Sequence, residues 1–184
     1  MSAKGRIVVF TGGPSTGKTT LIQHLSAAGY PVVREAATDV LRRAEAARVR
    51  QKRPQRFQEE ILNLQLERES HALETAPAQV PIFADRGVGD HFGYLRHAGV
   101  AIFPGLEAAW TAALRRYAAI LVLAPGPIYD PDGSRSESKQ EAIAIHRLLG
   151  EEYRQRHPHV AEIPWGSPPE REQLVLAQVE QFVV

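Results

Sequence analysis

Eight residues, Gly12-Gly13-Pro14-Ser15-Thr16-Gly17-Lys18-Thr19, have the types and spacing to hold a polyphosphate. The glycines let the backbone curl until successive N–H groups point at one anion, and a helix N-terminus adds its positive dipole end. Lys18 is placed to reach the β- and γ-phosphates, and the Thr19 hydroxyl to ligate Mg²⁺. Thr20 carries the loop into the following helix. The pattern G-x-x-x-x-G-K-T is informative only between a strand and a helix. Here the apolar run Arg6-Ile7-Val8-Val9-Phe10-Thr11 precedes it and Leu21-Ile22-Gln23-His24-Leu25 follows.

Three more residues carry chemistry at the ends of apolar runs. Glu35 follows Val32-Val33, and Asp85-Arg86 follows Val80-Pro81-Ile82-Phe83-Ala84. Asp85 is expected to hold Mg²⁺ through water, with a helix N-cap as the alternative. Arg86 is expected near the transferring phosphoryl group or the acceptor hydroxyl, unless it only pairs with Asp85. Glu35 would accept or orient the proton of an acceptor hydroxyl. Its alternatives are a place behind the magnesium or the N-terminal acid of the next helix.

The same residues argue against two classes of nucleotide hydrolase. Guanine-specific switches read their base with Asn-Lys-x-Asp, but the only asparagine is Asn63, inside a predicted helix. Motor-like ATPases follow the metal-binding Asp with a water-activating Glu. Arg86 stands at that place, and a guanidinium accepts no proton. A kinase fits better.

The elements that must position these groups alternate. A strand at Arg6–Thr11 leads to a helix from Gly17 to Ala28, stopped by Gly29. A short strand, Tyr30–Glu35, precedes a helix from Asp39 to Arg50. Pro54 opens a helix to Thr75 with Phe57, Ile61, Leu64 and Leu73 near one stripe. The strand Val80–Asp85 leads to a turn at Gly87, Gly89 and Asp90, then a helix to Ala98. Another helix runs from Pro104-Gly105 through Arg115. Ala118–Ala124 reads as a buried strand, Ile128–Ser138 as a polar loop and Lys139–Arg156 as a helix. Val160–Trp165 is a last strand, and Glu170–Phe182 a closing helix. Such alternation predicts an α/β protein with a parallel sheet covered on both faces and ligands at the strands' C-terminal ends. Every candidate residue above lies at such an end.

Composition narrows the remaining classes. The chain has 184 residues, 43% of them hydrophobic and 23% charged, which suits one soluble domain with a full core. A formal net charge of +1 offers no global attraction for nucleic acid or membrane. Cysteine is absent, so disulfides and thiolate chemistry are excluded. No apolar run approaches a membrane span, and the first strand follows Met-Ser-Ala-Lys-Gly directly, so a cytoplasmic location is expected. There are no repeats. His157-Pro158-His159 is expected to be a solvated turn, and Trp110 and Trp165 to anchor cores.

Taken together, these stretches resemble the NadR-type AAA domain family of P-loop kinases. The resemblance rests on Phe10-Thr11-Gly12-Gly13-Pro14-Ser15-Thr16-Gly17-Lys18-Thr19-Thr20-Leu21 and Gly29-Tyr30-Pro31-Val32-Val33-Arg34-Glu35-Ala36-Ala37. It continues through Phe57-Gln58, Asp85-Arg86-Gly87 with Asp90, Asp132-Gly133-Ser134-Arg135, and Pro164 to Glu170-Arg171. The family is in turn similar to deoxynucleoside kinases, where a Glu and an acid-Arg pair flank the acceptor hydroxyl. The resemblance implies a single three-layer α/β/α domain over 1–184, with a five-stranded parallel sheet of order 2-3-1-4-5. It also implies a lid at about 128–139 after strand 4, from which Arg135 closes on the phosphates. Gly166 to Arg171 would border adenine. The implied activity is ATP- and Mg²⁺-dependent phosphoryl transfer to a small nucleoside-like or other hydroxylated acceptor. A nucleotide-gated signalling module with slow turnover is the alternative. Phe57, Gln58, Asp90 and Tyr94 are the expected acceptor-binding residues, whereas Gln65 is expected to be packing or surface.

Overall fold

β-Branched and aromatic residues dominate the strands because the central three lie buried between helical layers. In the computed structural model, which describes residues 6–43, 52–127 and 137–183, they form β1 (Ile7–Thr11), β2 (Val32–Val33), β3 (Ile82–Asp85), β4 (Tyr117–Leu123) and β5 (Val160–Ile163). All pairings are parallel and the order is β2-β3-β1-β4-β5, as expected from the resemblance. The helices are α1 (Lys18–Ala27), α2 (Ala36–Leu41), α3 (Pro54–Thr75), α4 (Val88–His97), α5 (Leu106–Leu114), α6 (Lys139–Arg156) and α7 (Pro168–Val183).

Strand alternation divides the core in two. Ile7 and Val9 of β1 join Phe92, Leu95, Trp110 and Tyr153 on one face of the sheet. Val8 and Phe10 join Leu21, Leu25, Val175 and Val179 on the other. A smaller cluster of Ala36, Val40, Phe57 and Ile61 fastens α2 to α3. Register then brings the chemistry together. Phe10 pairs with Asp85, and Arg86 N donates to Phe10 O at 2.9 Å, so β3 ends beside the start of the glycine-rich loop. Val33 pairs with Ala84, which sets Glu35 next to Arg86.

Several elements depart from the sequence reading. Gly87, Gly89 and Asp90 do not form a turn: Gly87 is the N-cap of α4 and the other two lie in its first turn. Asp90 accepts from Gly87 N at 3.3 Å, a capping box that starts the helix early. The small residues there serve close packing. A Cβ on Gly89 would lie 2.7 Å from the Tyr153 ring, and one on Gly93 2.5 Å from Leu149 Cδ2. β5 stops at Ile163, since Pro164 has no N–H to continue the ladder. Trp165 is consequently 50% exposed rather than a core anchor, whereas Trp110 is fully buried, edge-on to Tyr153 at 5.3 Å. His157 is buried, not solvated, because its Nε2 meets Tyr117 O at 3.3 Å and its Nδ1 meets His159 N at 3.2 Å. α2 begins at Ala36, and the predicted continuation over 44–50 lies outside the described residues. So do 128–136, including Arg135 and most of the predicted lid.

Among the described residues no helix is long and apolar enough to cross a membrane.

Candidate active site

The glycine-rich loop leaves β1 in a conformation that only its sequence permits. Gly12 has φ 130° and Gly17 φ 80°, both in the region that favours glycine. Gly13 answers a different demand, since a Cβ there would stand 2.6 Å from Ala142 O and 3.0 Å from His146 Cβ on α6. Gly13 N also donates to His146 Nδ1 at 3.2 Å, a contact with no signal in the sequence. Burial, with Lys18 acting in the same direction, lowers the His146 pKa and keeps the ring a neutral acceptor. Gly13→Ala is therefore expected to push α6 off the loop. The expected loss is about 1–3 kcal/mol of stability, with weaker nucleotide binding. A thermal midpoint equal to wild type would show that α6 yields without cost.

Lys18 is buried, its Nζ 2.9 Å from Gly12 O, 2.8 Å from Gly13 O and 3.1 Å from Thr16 Oγ1. Arg171 braces the loop from α7, donating from Nη1 to Thr16 O at 2.6 Å and from Nη2 to Ala124 O at 3.4 Å. Its guanidinium also stacks 5.5 Å from the Trp165 ring centre. The exposed face of Trp165, not expected from the sequence, belongs to the cavity wall.

At the end of β3, Thr19 Oγ1 donates to Asp85 Oδ2 at 2.8 Å. Asp85 is buried, and its Oδ1 has no hydrogen-bond partner among the described residues. Burial raises its pKa, against the nearby positive charge of Lys18. A hydroxyl beside a carboxylate with an unused oxygen suits a hard cation such as Mg²⁺, which takes few protein ligands and completes its shell with water and phosphate. Among the described residues no group of three or more histidines and carboxylates forms a fuller metal site.

Arg86 follows directly and has φ 80°, rare for a residue with a Cβ. Its Nε donates to Glu35 Oε1 at 2.6 Å, Nη1 lies 3.8 Å from Asp90 Oδ2, and the guanidinium lies 5.1 Å from the Tyr94 ring centre. Its ion-pair partners are thus Glu35 and, at longer range, Asp90, and not the adjacent Asp85. Burial works against its charge, but Tyr94, Glu35, Asp90 and Asp85 hold its pKa well above the usual value. Glu35 stands at the N-cap position of α2, and its Oε2 accepts from Thr38 Oγ1 at 2.7 Å. Burial would raise the Glu35 pKa, yet Arg86 and Thr38 bring it down to about 2. It is a fixed carboxylate.

Glu35, Phe57, Gln58, Arg86, Asp90 and Tyr94 line one cavity of about 930 Å³ together with residues 14–20 of the loop and helix. Asp90 is buried at its edge, accepting from Thr11 Oγ1 and Gly87 N, and burial lifts its pKa to about 6. Tyr94 is pushed up to about 12, mainly by burial, and remains a neutral phenol. Gln58 contacts His91, and Gln65 is buried in hydrogen bonds to Glu69 and the Arg86 carbonyl. Gln58, Gln65 and Glu69 share a face of α3, a spacing that the sequence displays once apolar residues alone are not sought.

The arrangement can hold a polyphosphate at one end and a small hydroxylated molecule at the other, with Arg86 and Glu35 between. A family model described as an AAA domain matches residues 7–171. Among curated proteins none matches the sequence significantly. A solved NadR protein in complex with NR is 21% identical, with a TM-score of 0.76 over 97% of this chain and 52% of its own. NadR in complex with NAD and AMP-PNP is 19% identical, with a TM-score of 0.67 over 97% of this chain and 49% of its own. This chain thus spans about half the length of those proteins. A deoxyadenosine kinase from M. mycoides with dCMP and dCDP is 11% identical, with a TM-score of 0.66 over 95% of this chain and 99% of its own. At these identities the likeness is one of fold.

Proposed function

The chain belongs to the AAA domain family, and from that premise we infer that it transfers a phosphoryl group from ATP to a hydroxyl of a small, nucleoside-like acceptor. The observation that carries this reading is the Glu35–Arg86 pair, 2.6 Å apart, in the cavity that the phosphate loop opens into. The structural neighbours include a kinase, and one NadR structure holds the ATP analogue AMP-PNP, which supports ATP as donor.

Loop amides and Lys18 would bind the β- and γ-phosphates. Thr19 and Asp85 would hold magnesium, which when bound neutralises charge between those phosphates. Glu35, a carboxylate with a pKa near 2, is a poor proton acceptor and a good hydrogen-bond acceptor, so its task is to orient the acceptor hydroxyl. In a loose phosphoryl-transfer transition state the hydroxyl proton leaves late, and orientation matters more than basicity. Arg86, which lines the cavity between the loop and the acceptor side, would stabilise the charge that develops on the transferring group. Arg135 would add a second guanidinium from the lid. Phe57 and Tyr94 would flank the acceptor, and Asp90 would bound its far side.

The deciding experiment is ADP release with ATP and a panel of nucleosides. Release that depends on one of them supports the kinase. If none stimulates it, while ATP and ADP differ in their effect on a partner's affinity, the molecule is a nucleotide-gated module instead. Glu35→Gln keeps the shape and removes the charge, and is expected to lower kcat by about 10²-fold with the ATP KM unchanged. Wild-type kcat in that variant would remove Glu35 from the acceptor side.

A further inference from the structure

From the wall of the acceptor cavity, at Gln58, Gln65 and His91, a chain of polar groups that phosphoryl transfer does not use runs back into the core at Glu69. Glu69, fully buried on α3, accepts from Tyr117 Oη at 2.7 Å, Arg116 Nη2 at 2.9 Å and Gln65 Nε2 at 3.0 Å. Gln65 Nε2 also points at Arg86 O, 3.4 Å away. Both of those oxygens only accept, so Gln65 cannot reverse its amide without setting its carbonyl against them. Its Oε1 is therefore committed to His91 Nε2 at 3.3 Å.

An amide oxygen needs a donor, which places the His91 proton on Nε2. The ring is buried, and burial together with Arg86 lowers its pKa to about 3, so it is neutral and has only that one N–H. Nδ1 is then an acceptor. It lies 2.7 Å from the Oε1 end of the Gln58 amide, a contact between two acceptors. A half-turn of the Gln58 amide about its last torsion replaces that contact with N–H···N, and the two ends are told apart only by such partners. The opposite tautomer would leave Nε2 and Gln65 Oε1 facing each other unsatisfied inside the core, which is the worse defect because Gln58 is half-exposed and free to turn.

We propose that Glu69, acting through Gln65 and His91, fixes the Gln58 amide with its carbonyl oxygen toward the acceptor cavity, so that the site selects an acceptor carrying an N–H or O–H donor there. Glu69, Gln65 and His91 are positioning residues; Gln65 and His91 also border the cavity, but the selecting oxygen is that of Gln58. The selection rests on the kinase reading above, but the direction of the chain does not.

Direction is tested without any acceptor, by ¹⁵N NMR of the imidazoles in the full chain. His91 is expected as the Nε2–H tautomer at pH 7, and as the same tautomer in Gln58→Leu, because the order is set from Glu69. In Glu69→Gln, where Gln65 is free to reverse, the Nδ1–H form is expected to appear. An Nδ1–H tautomer or an imidazolium in the wild type overturns the proposal, as does a tautomer that changes in Gln58→Leu. Selection is tested with cytidine against N4,N4-dimethylcytidine and adenosine against N6,N6-dimethyladenosine. The donor-bearing member of a phosphorylated pair is expected to have a kcat/KM about tenfold to a hundredfold higher, with the preference lost in Gln58→Leu. Equal rates in the wild type overturn the selection, and no phosphorylation of any nucleoside overturns the kinase reading while the tautomer still decides the direction.

Discussion

Lys18→Ala is expected to lower acceptor-dependent ADP release by about 10³-fold or more. The ammonium is the positive charge at the mouth of the loop, and it has a field as well as contacts. It acts to lower the pKa values of Glu35, Asp85 and Asp90 together. Its removal leaves those acids facing the phosphates with less cationic compensation, so the variant loses transition-state stabilisation and gains repulsion. Nucleotide binding should weaken less than turnover, because the loop amides and the dipole of α1 remain. Lys18→Arg is a sharp control: Nζ is hydrogen bonded inside a pocket where the residue is 3% exposed, and a planar guanidinium does not fit that space. Calorimetric binding of AMP-PNP and single-turnover rates separate the two effects. A Lys18→Ala rate within tenfold of wild type contradicts the assignment of the loop as the donor site.

Arg86→Met is expected to be the second large effect, with turnover down by about 10³–10⁵-fold, the range for a guanidinium that stabilises the transferring phosphoryl group. It should also change how stability depends on pH. In the folded protein the Glu35 pKa is about 2, below its ordinary value of 4.5, so the ion pair stabilises the fold above about pH 4.5 and that stability is lost as pH falls toward 2. The difference corresponds to about 3 kcal/mol. Without Arg86 the burial that raises the Glu35 pKa is opposed only by Thr38 and Lys18, and the variant should be least stable relative to wild type at neutral pH, with the gap closing in acid. Urea midpoints measured from pH 3 to pH 8 provide the check. A gap independent of pH would show that Arg86 and Glu35 are not coupled in solution.

Much of this fold is legible in the sequence because its three central strands are buried on both faces. The run within Tyr117–Leu123 has no other use than a central strand, and α6 has the expected bounds because Ser138 and Glu141 form a capping box at its start. The donor half of the site is legible for a similar reason, since one contiguous loop does the work. The acceptor half is assembled from β2, α3, β3 and α4, and only register says what meets. Nothing local distinguishes Arg86 as a partner of Glu35 from Arg86 as a partner of Asp85; the Val33–Ala84 pairing decides it. The start of α4 is not legible locally, because Gly87 and Gly89 signal a turn equally well and their reason, room for Tyr153, lies far along the chain. His91 and Glu69 were invisible to a search for apolar stripes because the interior they occupy is polar.

The order of strands in the sheet also bears on how the molecule comes into being. β1 is made first, yet Ile7 pairs with Ile82 and Tyr117, so neither neighbour exists while the strand emerges from the ribosome. A nascent Ile7-Val8-Val9-Phe10 segment, destined for complete burial, must wait as an unpaired and sticky stretch until β3 and β4 have been synthesised. Such distant pairing slows folding and makes that segment the natural place for a chaperone to hold. The phosphate loop, which leaves β1 directly, therefore cannot be held in its final place before both β3 and β4 have joined the sheet.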